Sequence, residues 1–305
     1  MDLREWSLLI LLSIIWGGSF FFNEIILREL QPFSLVLGRT GLAAVVLITL
    51  VYVTGRKMPW SVGVWASFTG MGVLNNLIPF SLIVWGQQYI DSGFASVLIA
   101  TTPLFTIVFA HFLTSEEKLT LNRMIGVILG LSGVIVLIGP NALFGDGKYG
   151  FAPIVVLGAA CSYALAGIFG RRFRGMDAII PAAGMLVCSA FLMIPIVWLI
   201  DKPVHVDFEL STWLALLGLA ILSTAIAYLI YFRLLKTAGA TNVLLVTFLI
   251  PVSAILLGWF ALGEQLDWTM IGGMAIIYAG LILIDGRLLK NFGKIYEQVT
   301  HLGIK

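Results

Sequence analysis

Charged side chains are scarce, at 11% of 305 residues against 60% hydrophobic ones. A water-soluble domain carries roughly a quarter of its residues charged, so most of this chain's solvent is lipid. The formal net charge is only +2, and no Lys/Arg block resembles a basic arm, which argues against nucleic acid as a partner. Cysteine is nearly absent: Cys161 and Cys188 both lie inside apolar runs. They read as small buried hydrophobes, so neither a disulfide scaffold nor a metal site is expected, and no cofactor is implied.

Motifs for catalysis and for energy input are missing as well. There is no Walker A loop and no His-Glu-x-x-His helix, and the sole Gly-Asp pair, Gly145-Asp146, falls in a loop. ATP therefore does not drive the chain directly, and no enzyme is expected. No Asp or Glu occupies the central part of any long apolar run, and the one histidine at depth is His111. Proton-coupled carriers relay through such groups. Coupling would have to use His111 or Glu24; facilitated diffusion or exchange needs neither.

What is present is repetition. Pro103 to Glu116 and Pro251 to Glu264 each set a proline 13 residues before a glutamate, and the copies lie 148 residues apart. Behind them Gly126 matches Gly273 and Gly133 matches Gly280, at an offset of 147. A spanning helix needs about 20 mainly apolar residues. By that measure spans fall near 6–23, 32–54, 63–84, 92–113, 121–140, 151–170, 180–200, 211–232, 239–262 and 268–285. The first, Trp6 to Phe22, has no small-x-small cleavage site and reads as a retained span. The expected fold is an all-α membrane protein of ten transmembrane helices in two five-helix repeats, residues 1–140 and 150–286, with a tail at 287–305.

Lys and Arg set the orientation. With a cytoplasmic N-terminus, 14 of them fall on the inner side and only Arg28, Lys148 and Lys202 on the outer, with Arg39 inside a span. Both termini are expected to be cytoplasmic. Five spans per copy then force the second copy into the membrane upside down. The loops agree, since Arg171, Arg172 and Arg174 follow the first span of the second copy where the first copy has only Arg28, offset by Glu24 and Glu29.

Several residues could line a path. Pro103 and Pro251 fall mid-span and free the carbonyls of Ile99 and Thr247, which must find partners in protein or water. Thr101, Asn242 and Thr247 sit just before these prolines. The kinks either pack structurally or line a midplane cavity and let two halves rock. Arg39 lies about 10 Å into its span, and a charge there is costly. It pairs with Glu24, anchors an anionic group, or snorkels to the helix end. Asn75 and Asn76 either bond between helices or contact a solute. Trp16, Trp85, Tyr163 and Tyr228 are ring walls at depth, with Trp16 and Tyr163 at equivalent repeat positions. Gly126 and Gly130 suit close helix packing.

The chain resembles the EamA family of the drug/metabolite transporter superfamily. The resemblance rests on Trp16-Gly17-Gly18-Ser19-Phe20, Pro32-Phe33, Arg39, Asn75-Asn76-x-x-Pro79-Phe80 and Trp85. It continues in the Pro103 to Glu116 block with Gly126, Gly130 and Gly133, and in Pro251 to Glu264 with Gly273 and Gly280. It implies an inverted five-plus-five arrangement around a central cavity, with Ser19 beside the residues above among its lining. It implies a bacterial-type inner-membrane transporter that moves a small organic metabolite, an amino acid or a drug-like neutral or zwitterionic solute, often outward. Glu116 and Glu264 match the family's acidic positions and suggest a structural or gating role. The second copy has Met185 or Leu186 where Arg39 would recur, so the cavity is chemically asymmetric. Uptake or exchange of anionic metabolites is the alternative, and a channel is remoter, for want of a polar lining. The partners expected are the small-molecule solute and the lipid bilayer, with a monomer or homodimer as the unit.

Overall fold

The computed structural model describes residues 2–114, 120–139, 150–202, 207–238, 243 and 245–285. The described residues are helical, with no strand among them. Eight helices are long and apolar enough to cross a membrane: α1 (Leu3–Ile26), α2 (Pro32–Val53), α3 (Val62–Gln87), α4 (Ser92–Leu113), α5 (Leu121–Ile138), α6 (Ala152–Phe173), α7 (Ile179–Ile200) and α8 (Leu210–Leu234). Two shorter apolar helices follow, α9 (Val246–Leu262) and α10 (Trp268–Ile284). Eight of the ten expected spans thus reach full crossing length within the described residues.

Local chemistry sets the ends. Asp2 accepts from the Glu5 N–H while Glu5 accepts from the Asp2 N–H, a reciprocal cap on α1. Pro32 opens α2, where its missing donor is no loss. Large apolar side chains such as Ile128, Ile135, Phe191, Trp198, Leu256 and Phe260 remain exposed. In water such a belt would drive association; here it meets acyl chains. The molecule is a multi-pass membrane protein.

The helices pack in reciprocal pairs. α1 packs on α9 as α4 does on α6; α3 packs on α6 as α1 does on α8; α3 packs on α7 as α2 does on α8. Exchanging the two halves of the chain maps each pairing onto its mate. The corresponding helices also meet one another, α2 with α7, α4 with α9 and α5 with α10. They meet antiparallel. Asp201 at the end of α7 accepts from the N–H and hydroxyl of Ser34 at the start of α2, at 2.6 and 2.8 Å. At the other end Arg56, beyond α2, pairs with Asp177, ahead of α7.

Glycine makes the α5–α10 contact possible. A Cβ on Gly126 would stand 2.7 Å from the Gly280 carbonyl oxygen, and one on Gly133 would stand 2.7 Å from the Ile277 nitrogen. Backbones this close gain dispersion contact without any hydrophobic drive, the usual logic of association in lipid.

Pro103 breaks α4 into Ser92–Ile99 and Thr102–Leu113. The freed Ile99 carbonyl accepts from the Thr102 hydroxyl at 2.7 Å. Pro251 leaves Val246–Leu257 unbroken, and the nearby Phe248 carbonyl accepts from the Tyr278 hydroxyl of α10 at 2.8 Å. Three further irregularities were not expected. The bonding widens to a π turn over Val73–Leu77 in α3, over Ile221–Ile226 in α8 and over Gly258–Leu262 at the end of α9. The turns of α3 and α8 start 148 residues apart, the offset of the proline–glutamate blocks.

Gly126→Leu should lower the thermal unfolding midpoint in detergent, by an overpacking cost of about 1–3 kcal/mol. Gly272→Ala, where an added Cβ meets nothing within 4 Å, should leave it unchanged or slightly raised. Equal midpoints for the two variants would contradict the close α5–α10 contact.

Candidate functional site: a buried polar cluster at the two π turns

The π turns place polar side chains at depth. Each adds a residue to the turn and re-aims what it carries. Asn75 and Asn76 ride on the α3 turn, Ser223 and Thr224 on the α8 turn. Tyr228, one helical turn beyond Thr224, links the two: its hydroxyl donates to Asn76 Oδ1 at 2.9 Å and accepts from Asn75 Nδ2 at 3.0 Å. Asn76 Nδ2 donates to Ser189 Oγ of α7 at 3.2 Å, and Ser189 Oγ donates to the Met185 carbonyl at 2.7 Å. Every amide and hydroxyl here finds a partner, as hydrocarbon requires.

Arg39 of α2 joins this cluster from the opposite half. It is 6% exposed. Its Nε donates to Thr224 Oγ1 at 2.9 Å, and its guanidinium carbon lies 3.7 Å from the centre of the Phe80 ring. Thr224 Oγ1 in turn donates to the Leu219 carbonyl at 2.9 Å, which fixes the direction of its lone pair. Tyr163 packs against the same apolar cluster as Phe80.

The Arg39–Glu24 pair, one of the three readings of this arginine, does not form. Among the described residues the one ion pair is Arg56 with Asp177. Glu24 stands at the far end of α1, in a pocket of about 590 Å³ lined by Arg28, Asp91, Glu264 and Asp267 among others. Consecutive helices suggested the pairing, but Arg39 is one-third of the way down α2 while Glu24 stays at the helix end. Snorkelling is excluded too, because the head of Arg39 is buried rather than led to the surface.

The other sequence candidates distribute as follows. Trp16 packs against Tyr231 with ring centres 5.6 Å apart, and Trp85 against Tyr89 at 4.9 Å. Ser19 and Thr101 are buried and turn their hydroxyls to carbonyls of their own helices, Trp16 and Leu98. Neither joins the cluster. His111 lies against Phe112 near the end of α4, away from Arg39. Thr247 sits in the first turn of α9, four residues before Pro251. Asn242 and Glu116 lie outside the described residues. Glu264 caps a helix: its carboxylate accepts from the N–H groups of Ser92 and Gly93 at 2.9 and 3.2 Å, at the positive end of α4.

Sequence reasoning missed Thr224, Ser189, Phe80 and the pair Asn23 and Gln87, whose side chains bond at 2.8 Å between α1 and α3. One signal was available: Asn75-Asn76 and Ser223-Thr224 are polar pairs 148 residues apart.

Reciprocal halves with a buried polar cluster between them are the pattern of a repeated membrane transporter. The sequence profile of the EamA-like transporter family matches residues 4–139 and again residues 150–285. The chain belongs to that family. It is 26% identical to the uncharacterized transporter YoaV of Bacillus subtilis, over 90% of this chain and 94% of that one. It is 28% identical to the uncharacterized inner membrane transporter YedA of Escherichia coli K12, over 91% and 90% respectively. A crystal structure at 19% identity superposes with a TM-score of 0.65 over 95% of this chain and shares its fold.

Tyr228→Phe should lower the thermal midpoint, because Asn76 Oδ1 would lose its donor at a cost of about 1–3 kcal/mol. Glu264→Ala should also lower it, by about 1 kcal/mol, through the loss of a helix cap. A Tyr228→Phe protein as stable as wild type would mean that the hydroxyl bridge is not formed.

Proposed function

We propose that this protein is a secondary transporter that moves a small organic solute across a bacterial-type inner membrane by alternating access. The observation that carries the reading is the cluster itself. Its bonds run between halves, α3 to α7 and α8, and α2 to α8, at depth in the bundle and where both π turns fall. A site shared between halves is exposed to one side or the other as the halves rock.

In this reading α9 and α10 also span, giving ten helices in two inverted five-helix repeats. The antiparallel meeting of corresponding helices and the double family match support it. The excess of Lys and Arg on one side supports cytoplasmic termini. The solute is neutral or zwitterionic, an amino acid or a drug-like compound, and the direction is outward. Trp16, Tyr163 and Tyr228 supply wall, Asn75 and Asn76 polar contact, and the broken α4 and proline-bearing α9 give the halves their freedom. A second reading, uptake or exchange of an anionic metabolite, draws on the lack of a carboxylate at Arg39 among the described residues.

Purified protein in liposomes loaded with an amino-acid mixture should show saturable uptake of labelled solute that is accelerated by solute on the other side. Pro251→Ala should slow that exchange several-fold. Currents through planar bilayers without saturation would instead indicate a channel.

A further inference from the structure

We infer that Arg39, Thr224 and Phe80 together form a receptor for a single carboxylate on a small solute with an apolar body. The inference rests on the transport reading above and names the chemistry its solute must have.

Arg39 is 94% withdrawn from solvent by its 6% exposure, yet no acidic side chain among the described residues neutralises it. A buried charge without a counter-charge is costly, and the fold holds this one in place rather than relaxing it. The edge carrying Nε is occupied by the Thr224 hydroxyl, and one face is covered by the Phe80 ring. Both constraints fix the plane of the guanidinium. What remains is the end edge with its two terminal nitrogens. Neither has a hydrogen-bond partner among the described residues. Nor is either among the sealed polar atoms without a partner, which belong to Asn23, Glu24, Ser81 and Ser92. The free edge therefore keeps a small accessible surface rather than being sealed.

That edge presents two parallel N–H donors, the complement of a planar group with two oxygens. A carboxylate fits in both shape and charge. A phosphate monoester, with close to two charges at neutral pH, would bring a second charge with no second cation to meet it. The neighbouring rings of Phe80, Tyr163 and Tyr228 suit an apolar body. The shared chemistry is one carboxylate, whether on a simple monoacid or on a zwitterionic amino acid.

The test uses the full-length protein in nanodiscs and in liposomes, with matched acids and neutral amides as probes. Propionate and propionamide, 3-phenylpropionate and 3-phenylpropionamide, and phenylalanine and phenylalaninamide cover small, aromatic and amino-bearing bodies. Binding is read by tryptophan fluorescence and thermal shift, and exchange by counterflow. At least one acid should bind while its amide does not. Arg39→Gln should weaken the acid by about tenfold or more, the loss of one charge-assisted bond. Arg39→Lys should fall between, since it keeps charge but loses the paired donors. Thr224→Val, which leaves the charge intact, should weaken acid binding to a lesser degree at an unchanged preference for acid over amide. Phenylalanine against 3-phenylpropionate separates the zwitterion from the monoacid.

Amides bound as tightly as acids, wild-type acid affinity in Arg39→Gln, or no acid bound at millimolar concentration would each overturn the inference. Arg39-dependent binding of an acid that never crosses the bilayer would uphold the receptor and contradict the transport reading. Arg39-independent counterflow would do the reverse.

Discussion

Hydrocarbon offers no hydrogen bonds, so each polar group that enters it must find its partner inside the chain. Most of this structure can be read as the answer to that demand. The carbonyl freed by Pro103 takes the Thr102 hydroxyl, and the Phe248 carbonyl near Pro251 takes Tyr278. The amides of Asn75 and Asn76 are tied by Tyr228 and Ser189. Helix ends that turn back into the protein are met by carboxylates, Asp201 on α2 and Glu264 on α4. Beside a few sealed atoms of Asn23, Glu24, Ser81 and Ser92 that lack partners, the unneutralised end of Arg39 is the one exception carried at depth by a cation among the described residues, and the functional account is built on it.

The two halves solve the same packing problem twice and diverge where chemistry is placed. The π turns occur in both α3 and α8, each carrying two polar residues towards the other half. The first half's turn carries amides and the second's carries hydroxyls, and it is the Thr224 hydroxyl of the second that accepts from the arginine of α2. In the transport reading proposed above, the repeated scaffold supplies symmetry for motion, while a few side chains make its centre asymmetric. The glycine contact of α5 with α10 lies apart from this centre and serves to hold the halves together.

Much of this was legible in the sequence. Long apolar runs gave the helices because nothing else satisfies a backbone in lipid, and Pro103 marked a real break, whereas Pro251 lies within an unbroken helix. The residues Arg39, Asn75, Asn76 and Tyr228, singled out separately by their depth, converge on one cluster. The π turns were not legible as such: a shift in bonding register leaves no composition signature, though the matched polar pairs at 75–76 and 223–224 pointed to the place. Nearness to a proline says nothing about where a hydroxyl points, and Thr101 serves its own helix through the Leu98 carbonyl. The supposed partner of Arg39 failed for a related reason. Neighbours along the chain need not share a depth, and Glu24 sits with Asp91 and Glu264 at the bundle end.

The central claim is that two reciprocal halves move about the buried junction of Arg39 with Thr224 and Asn76 with Tyr228. Distances between spin labels would test it most directly. One pair would sit at Tyr89 and Leu210, on the face where α1 ends, and the other at Trp60 and Arg174, on the opposite face. All four positions are exposed. The account predicts that saturating solute shifts the two distances in opposite senses, one face closing as the other opens. Two distances that stay fixed, or that change together, would contradict it.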